Sequence, residues 1–98
     1  MFVRMAHFKL LREHQPAAID AYNRDGIPKV RAQPGNVDCY LLEPVPPAEH
    51  FVACTLWESE EHAKAYESSG VAQEVAGTVR FAFDGPPELR TYRARREA

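Results

Sequence analysis

The chain has 98 residues, 12 basic and 14 acidic side chains, a net charge of −2, and two cysteines. A balance this even gives no electrostatic pull toward nucleic acid or an anionic membrane, and the apolar runs fall far short of the ~20 residues that span a bilayer. Two cysteines make neither a disulfide framework nor a zinc site. His7, His14, His50 and His62 form no pair at helical spacing, so no metal is expected. The N-terminal segment is charged again at Arg4, too early for a secretory leader. These features predict one small cytoplasmic domain over residues 1–98, with a core modest enough that a partner surface would matter.

Residues 2–9 alternate as a strand with apolar side chains on both faces: Val3, Met5 and His7 on one, Phe2, Ala6 and Phe8 on the other, with Arg4 among the latter. From Glu13 to Asp25 the pattern turns helical. Pro16 suits a first turn, and Ala18, Ile19 and Tyr22 share a side. Gly26 and Pro28 should interrupt or kink that helix before a short apolar turn at Ile27–Val30. Gln33-Pro34-Gly35-Asn36 reads as a turn.

Val37 to Glu43 and Phe51 to Trp57 are predicted strands, joined by a proline-rich loop. The second of them carries no charge and should be central and covered on both faces. Ser59 can cap a helix, with Glu60 and Glu61 favourable at its positive end and Ala63 and Tyr66 on its inner face. Ser69-Gly70 breaks this helix, Val71, Val75 and Val79 continue as a second stripe, and Glu88 to Arg93 is a last strand. The tail from Ala94 to Ala98 should fray.

The order βαββαβ, with right-handed crossovers, gives a ferredoxin-like α+β sandwich: a four-stranded antiparallel sheet with helices on one face. Helices cover one face only, yet the first and third strands are apolar on both. The economical cover for the bare face is a second copy, so a homodimer packed sheet to sheet is predicted. Cys39 and Cys54 are placed symmetrically about a loop centred between Pro46 and Pro47. Their thiols could thus face each other across a hairpin, although two small buried side chains in a reducing compartment is the plainer reading.

The segment Ala53-Cys54-Thr55-Leu56-Trp57-Glu58-Ser59-Glu60-Glu61-His62-Ala63-Lys64-Ala65-Tyr66-Glu67-Ser68-Ser69-Gly70 resembles the strand-to-helix signature of the antibiotic biosynthesis monooxygenase (ABM) family, dimeric α+β barrel proteins. Val30 to Leu42 is similar to that family's helix end, Pro-Gly turn and second strand, and Glu88-Leu89-Arg90-Thr91-Tyr92 to its last strand. The resemblance implies the same fold and dimer, with a pocket between sheet and helices in each protomer. It also implies a cofactor-independent monooxygenase acting on a small aromatic or quinol-type substrate with O2. A second branch degrades haem, using an Asn, a Trp and a His at positions that fall here near His7, on Tyr66 and on Ala76. These departures make haem a poor expectation, and no cofactor is predicted.

Cofactor-free oxygenation requires that a phenol or enol lose a proton, so that its anion can give an electron to oxygen. The pocket must bind that anion, exclude water and offer a base or hydrogen-bond donors. His7, an imidazole inside an apolar strand, and Tyr66, on the inner helix face, are the candidate catalytic residues. Trp57 is a candidate for stacking on an aromatic substrate, and His62, one helical turn from Glu58 and Tyr66, is the other candidate binding residue. Arg4 alternates with His7 and suits a dimer interface. Arg80 and Arg90 are available to an anion but read as surface charges, and His14 and His50 receive no role.

Two other classes compete. RNA-recognition modules share the element order but need a basic Gly-aromatic third strand, which is lacking, and no Gly-rich phosphate loop is present. A non-catalytic barrel that binds a small molecule, or serves in stress, remains the serious alternative, since fold does not decide function.

Overall fold

In a computed structural model, which describes residues 1–96, four antiparallel strands pair in the order β2–β3–β1–β4. They are β1 (Phe2–Lys9), β2 (Asn36–Leu42), β3 (His50–Trp57) and β4 (Glu88–Arg93). Helices α1 (Gln15–Ala21) and α2 (Ile27–Arg31) precede β2, while α3 (Glu60–Ser68) and α4 (Val71–Gly77) follow β3. This is the ferredoxin-like α+β fold. The Ala94 amide donates to the Met1 carbonyl at 2.9 Å, so pairing with β1 runs past β4. The frayed tail expected over Ala94–Ala98 falls, at Glu97 and Ala98, outside the described residues.

The first helix is interrupted before Ile27, as expected, though by a π turn and not by a loop. Residues Tyr22–Gly26 form this turn, in which the Ile27 amide donates to the Tyr22 carbonyl. Pro28 then falls in the first turn of α2, where its missing N–H leaves nothing unpaired. The three helical segments bury Ala18, Tyr22 and Val30.

Strand alternation sends Phe2, Arg4, Ala6 and Phe8 of β1 toward the helices, opposite Trp57, Thr55, Ala53 and Phe51 of β3. The open face carries Val3, Met5 and His7 beside Leu56, Cys54 and Val52. Tyr40 and Leu42 of β2 and Tyr92 of β4 extend it, exposed at 48%, 42% and 45%. Among the described residues nothing covers that face.

One expectation is overturned by register. Residues Asn36 and Asp38 flank a bulge whose shape is held by the Asn36 side chain, donating to the carbonyls of Asp38 and Leu56 at 3.1 Å each. Beyond it, Cys39 stands opposite Thr55 and Tyr40 opposite Cys54. A one-residue offset reverses every side chain, so Cys39 points to the helices and Cys54 to the open face. The thiols do not face each other, and both are free.

Gly35 closes the turn before β2 at φ +77°, a conformation that needs glycine, and its carbonyl accepts from the Glu58 amide at 2.9 Å. A Cβ there would lie 2.2 Å from Cγ of His62. The turn is therefore pressed flat onto the start of α3.

Candidate functional site

Between sheet and helices lies a cavity of about 130 Å³. That is close to the ~150 Å³ of an apolar cavity that accepts one benzene, so a single aromatic ring matches its size. Arg4, Ala6, Phe8, Ala53 and Thr55 form its floor on the sheet. Tyr22, Tyr66, Ala72, Val75 and Val79 form the helical wall, and Phe83, Pro87 and Leu89 lie toward β4. Leu89, 41% exposed, marks the side open to solvent. Most of the lining is apolar, and the polar groups are a guanidinium and three hydroxyls.

Tyr66 reaches this wall because α3 begins at a defined residue: the Ser59 hydroxyl accepts from the His62 amide, fixing the phase of the helix. Its ring packs on Trp57, centroids 4.8 Å apart, and its hydroxyl makes no hydrogen bond among the described residues. Burial pushes the Tyr66 phenol up to about 12, with the nearby Arg4 charge opposing. At neutral pH it is a hydroxyl donor and a poor base. Tyr22 is raised further by burial and by Cys39, whose Sγ lies 3.7 Å from its hydroxyl.

Trp57 is completely buried and does not line the cavity. Its indole N–H donates to Thr55 Oγ1 at 2.9 Å, and Thr55 in turn donates to the Arg4 carbonyl at 3.4 Å. The indole touches the site only through Tyr66 and Thr55. His62 is also outside the cavity. Its Nδ1 is 2.7 Å from Ser59 Oγ and its ring covers Gly35, so its contacts are with the turn, and not with Glu58 or the Tyr66 hydroxyl.

His7 and Tyr66 are not brought together. His7 lies on the open face, where its Nδ1 and Nε2 of His50 are 3.0 Å apart and share one hydrogen. It borders a separate, shallower cleft of about 340 Å³ together with Lys9, His50, Asp84 and Glu88. The cavity-facing residues of β1 are its neighbours Ala6 and Phe8. Arg4, expected at an interface, instead enters the cavity. Its guanidinium carbon lies 5.3 Å from the centre of the Tyr66 ring, a cation–π distance. Its Nε is buried without a hydrogen-bond partner among the described residues.

Arg4, Thr55 and Tyr22 were not legible as site residues. The available signal was that Arg4 shares its stripe with Phe2, Ala6 and Phe8, the bulkier set on β1. Arg80 and Arg90 do not line the cavity, and Arg90 pairs with Glu88 at 2.9 Å.

Haem does not suit this donor set. Among the described residues lining the cavity there is no His, Cys or Met to ligate iron, and Ala76 contributes only a methyl group. Burial also holds both tyrosines in their neutral form. Among the described residues, no three His, Cys, Asp or Glu side chains converge as a metal site, and no helix is long and apolar enough to cross a membrane.

The fold is shared with solved structures. A conserved protein from Methanosarcina mazei superposes with a TM-score of 0.79 at 14% identity, covering 97% of this chain and 94% of that one. SnoaB, a cofactor-independent oxygenase from Streptomyces nogalater, gives 0.77 at 18% identity, covering 98% and 94%. A mutant of MhuD, solved with two manganese protoporphyrin IX bound per active site, gives 0.77 at 21%, covering 100% and 98%. No curated protein sequence matches the chain. The family model described as antibiotic biosynthesis monooxygenase matches residues 1–78, and with the sheet, cavity and helix order above, the chain belongs to the antibiotic biosynthesis monooxygenase family.

Proposed function

We propose that the protein is a cofactor-independent monooxygenase that oxidises a small aromatic phenol or quinol-type molecule with O2 in the cavity between sheet and helices. The observation that carries this reading is the cavity itself: sized for one aromatic ring, mainly apolar, with one guanidinium and three hydroxyls in its lining. The fold relationship to SnoaB supports it.

The chemistry balances without an outside reductant. A substrate anion gives one electron to O2, the two radicals combine as a hydroperoxide, and loss of water leaves a carbonyl. A CH2 group and O2 thus become C=O and H2O. The wall excludes water from the anion, and Tyr66 donates a hydrogen bond to its oxygen. Trp57 backs the Tyr66 ring, and His62 secures the turn on which α3 starts. Among the described residues the cavity lining has no carboxylate or imidazole, so the substrate proton leaves to solvent. His7, on the far side of the sheet, has no part in this step.

The same proposal makes the protein a homodimer in the cytoplasm. The uncovered face, from Tyr40 and Leu42 across Val52, Leu56 and Met5 to Tyr92, is mainly apolar, with His7, Glu88 and Arg90 on it, and two unpaired thiols fit a reducing setting. Oxygen uptake by chelator-treated protein against monocyclic hydroquinones and catechols, with anthrones as the larger set, tests the activity. Uptake above the protein-free rate is expected for the smaller compounds. No uptake by a folded dimer across the panel refutes it in favour of a non-catalytic binding barrel.

A further inference from the structure

Arg4 is the single formal charge among the described residues that line the cavity. Among the surface arginines, Arg12, Arg24, Arg31, Arg90 and Arg93 each have a carboxylate oxygen within 3.9 Å, and Arg80 is exposed to water. Arg4 has no ion pair among the described residues, and its Nε is buried with no hydrogen-bond partner. A guanidinium brings five N–H donors in a fixed fork and a permanent charge. Arg4 is half-buried, and its Nε, shut off from water, goes without a hydrogen bond, a cost that the π face of the Tyr66 ring offsets in part. The donors remain unengaged by the protein, at the edge of a space matching an aromatic ring.

We propose that Arg4 makes this cavity selective for an aromatic ligand bearing a negatively charged oxygen, so that the substrate is taken and held as its anion. The inference rests on the reading of the cavity as the substrate site. It also supplies what that reading lacks. With no base among the described residues of the wall, ionisation must be favoured by binding, and a nearby cation favours the ionised form. Arg4, over the face of the Tyr66 ring, and the Tyr66 hydroxyl then converge on one oxygen: a charged donor and a neutral one.

The test is equilibrium binding to the full chain, with 4-nitrophenol, benzoate and the neutral nitrobenzene as probes. Trp57 is the only tryptophan, and its fluorescence reports occupancy beside Tyr66, while visible absorbance reports the ionisation of bound nitrophenol. Wild-type protein should prefer the anions over nitrobenzene by about tenfold or more, and bound nitrophenol should ionise at lower pH than free nitrophenol. Arg4→Met should abolish the preference and leave nitrobenzene affinity within about twofold, and Arg4→Lys should restore part of it. Preference for nitrophenolate over benzoate identifies a phenolate or enolate ligand, and the reverse order a carboxylate.

Equal affinity for charged and neutral probes, failure of both anions to bind, or a preference that survives Arg4→Met overturns the proposal. The ionisation of nitrophenol on the wild-type protein decides the matter even if the variants fail to fold. None of these readouts requires turnover. Protein that binds anions through Arg4 yet consumes no oxygen refutes the oxygenase reading and leaves this one standing. Oxygen uptake indifferent to Arg4→Met does the opposite.

Discussion

Replacing Tyr66 with phenylalanine separates what this residue does for the fold from what it does for a ligand. Its hydroxyl makes no hydrogen bond among the described residues, whereas its ring lies 4.8 Å from that of Trp57 and is 3% exposed. Tyr66→Phe keeps the ring and removes an atom on which no protein group depends, so stability should change by less than about 0.5 kcal/mol. The melting temperature should then stay within about 4 °C for a domain of this size. Loss of a hydrogen bond to a charged oxygen costs about 1.5–3 kcal/mol, or roughly 10- to 150-fold in anion affinity or turnover. Tyr66→Ala makes the contrast. It deletes the ring from the Trp57 contact, and large-to-small aromatic changes in a core cost about 3–5 kcal/mol. The assay is thermal melting of both variants beside nitrophenolate binding and oxygen uptake. A folded Tyr66→Phe protein that binds the anion and turns over within about twofold of wild type would refute the assignment of the hydroxyl to the ligand.

Four further outcomes are expected, the first a contrast between two glycines. Gly35→Ala combines a left-handed backbone with a Cβ driven into the His62 ring and should cost about 2–4 kcal/mol in urea denaturation. Gly70→Ala, at φ +89° but with nothing within 4 Å of the added carbon, should cost only the backbone part, about 1–2 kcal/mol. Met5→Arg, in the middle of the open face, should convert the dimer to monomer in sedimentation, and an unchanged mass would place the interface elsewhere. Mild oxidation should produce no intramolecular Cys39–Cys54 disulfide by mass spectrometry of peptides, because the side chains occupy opposite faces of the sheet. Alkaline pH should destabilise the fold. Burial raises Tyr66 from 10.0 to about 12, so the unfolded chain releases its proton first. That stability is fully present below about pH 10 and is lost as pH rises through about 12. Urea midpoints at about pH 8 and about pH 11 that coincide would contradict the buried phenol.

The ferredoxin-like order was legible because each element announces itself locally. Alternation over residues 2–9, the Ser59 cap with two glutamates behind it, and the Val71, Val75 and Val79 stripe each need only a few neighbouring residues to be read. The first helix shows the limit of such rules. Gly26 and Pro28 speak for an interruption or a kink, but not for its form, a π turn that keeps Tyr22 and Val30 packed in the core. Tyr66 was also legible, as the aromatic on the inner face of a capped helix.

What escaped is everything that depends on choosing between two sides. A period of two divides β1 into two stripes and does not say which meets the helices. Arg4 and His7 therefore exchange the places expected for them, the first in the cavity and the second on the open face. The Cys39 and Cys54 pairing fails for a related reason. From the loop outward the hairpin is centred on Pro47 and not between Pro46 and Pro47, which sets Cys39 opposite Thr55 and turns it to the other face from Cys54. The sequence by itself determined the elements, their order and the family, because propensity, capping and periodicity act over a few residues. Only the tertiary structure decided face and register, and with them the charged wall of the cavity, because those are set by contacts between segments far apart in the chain.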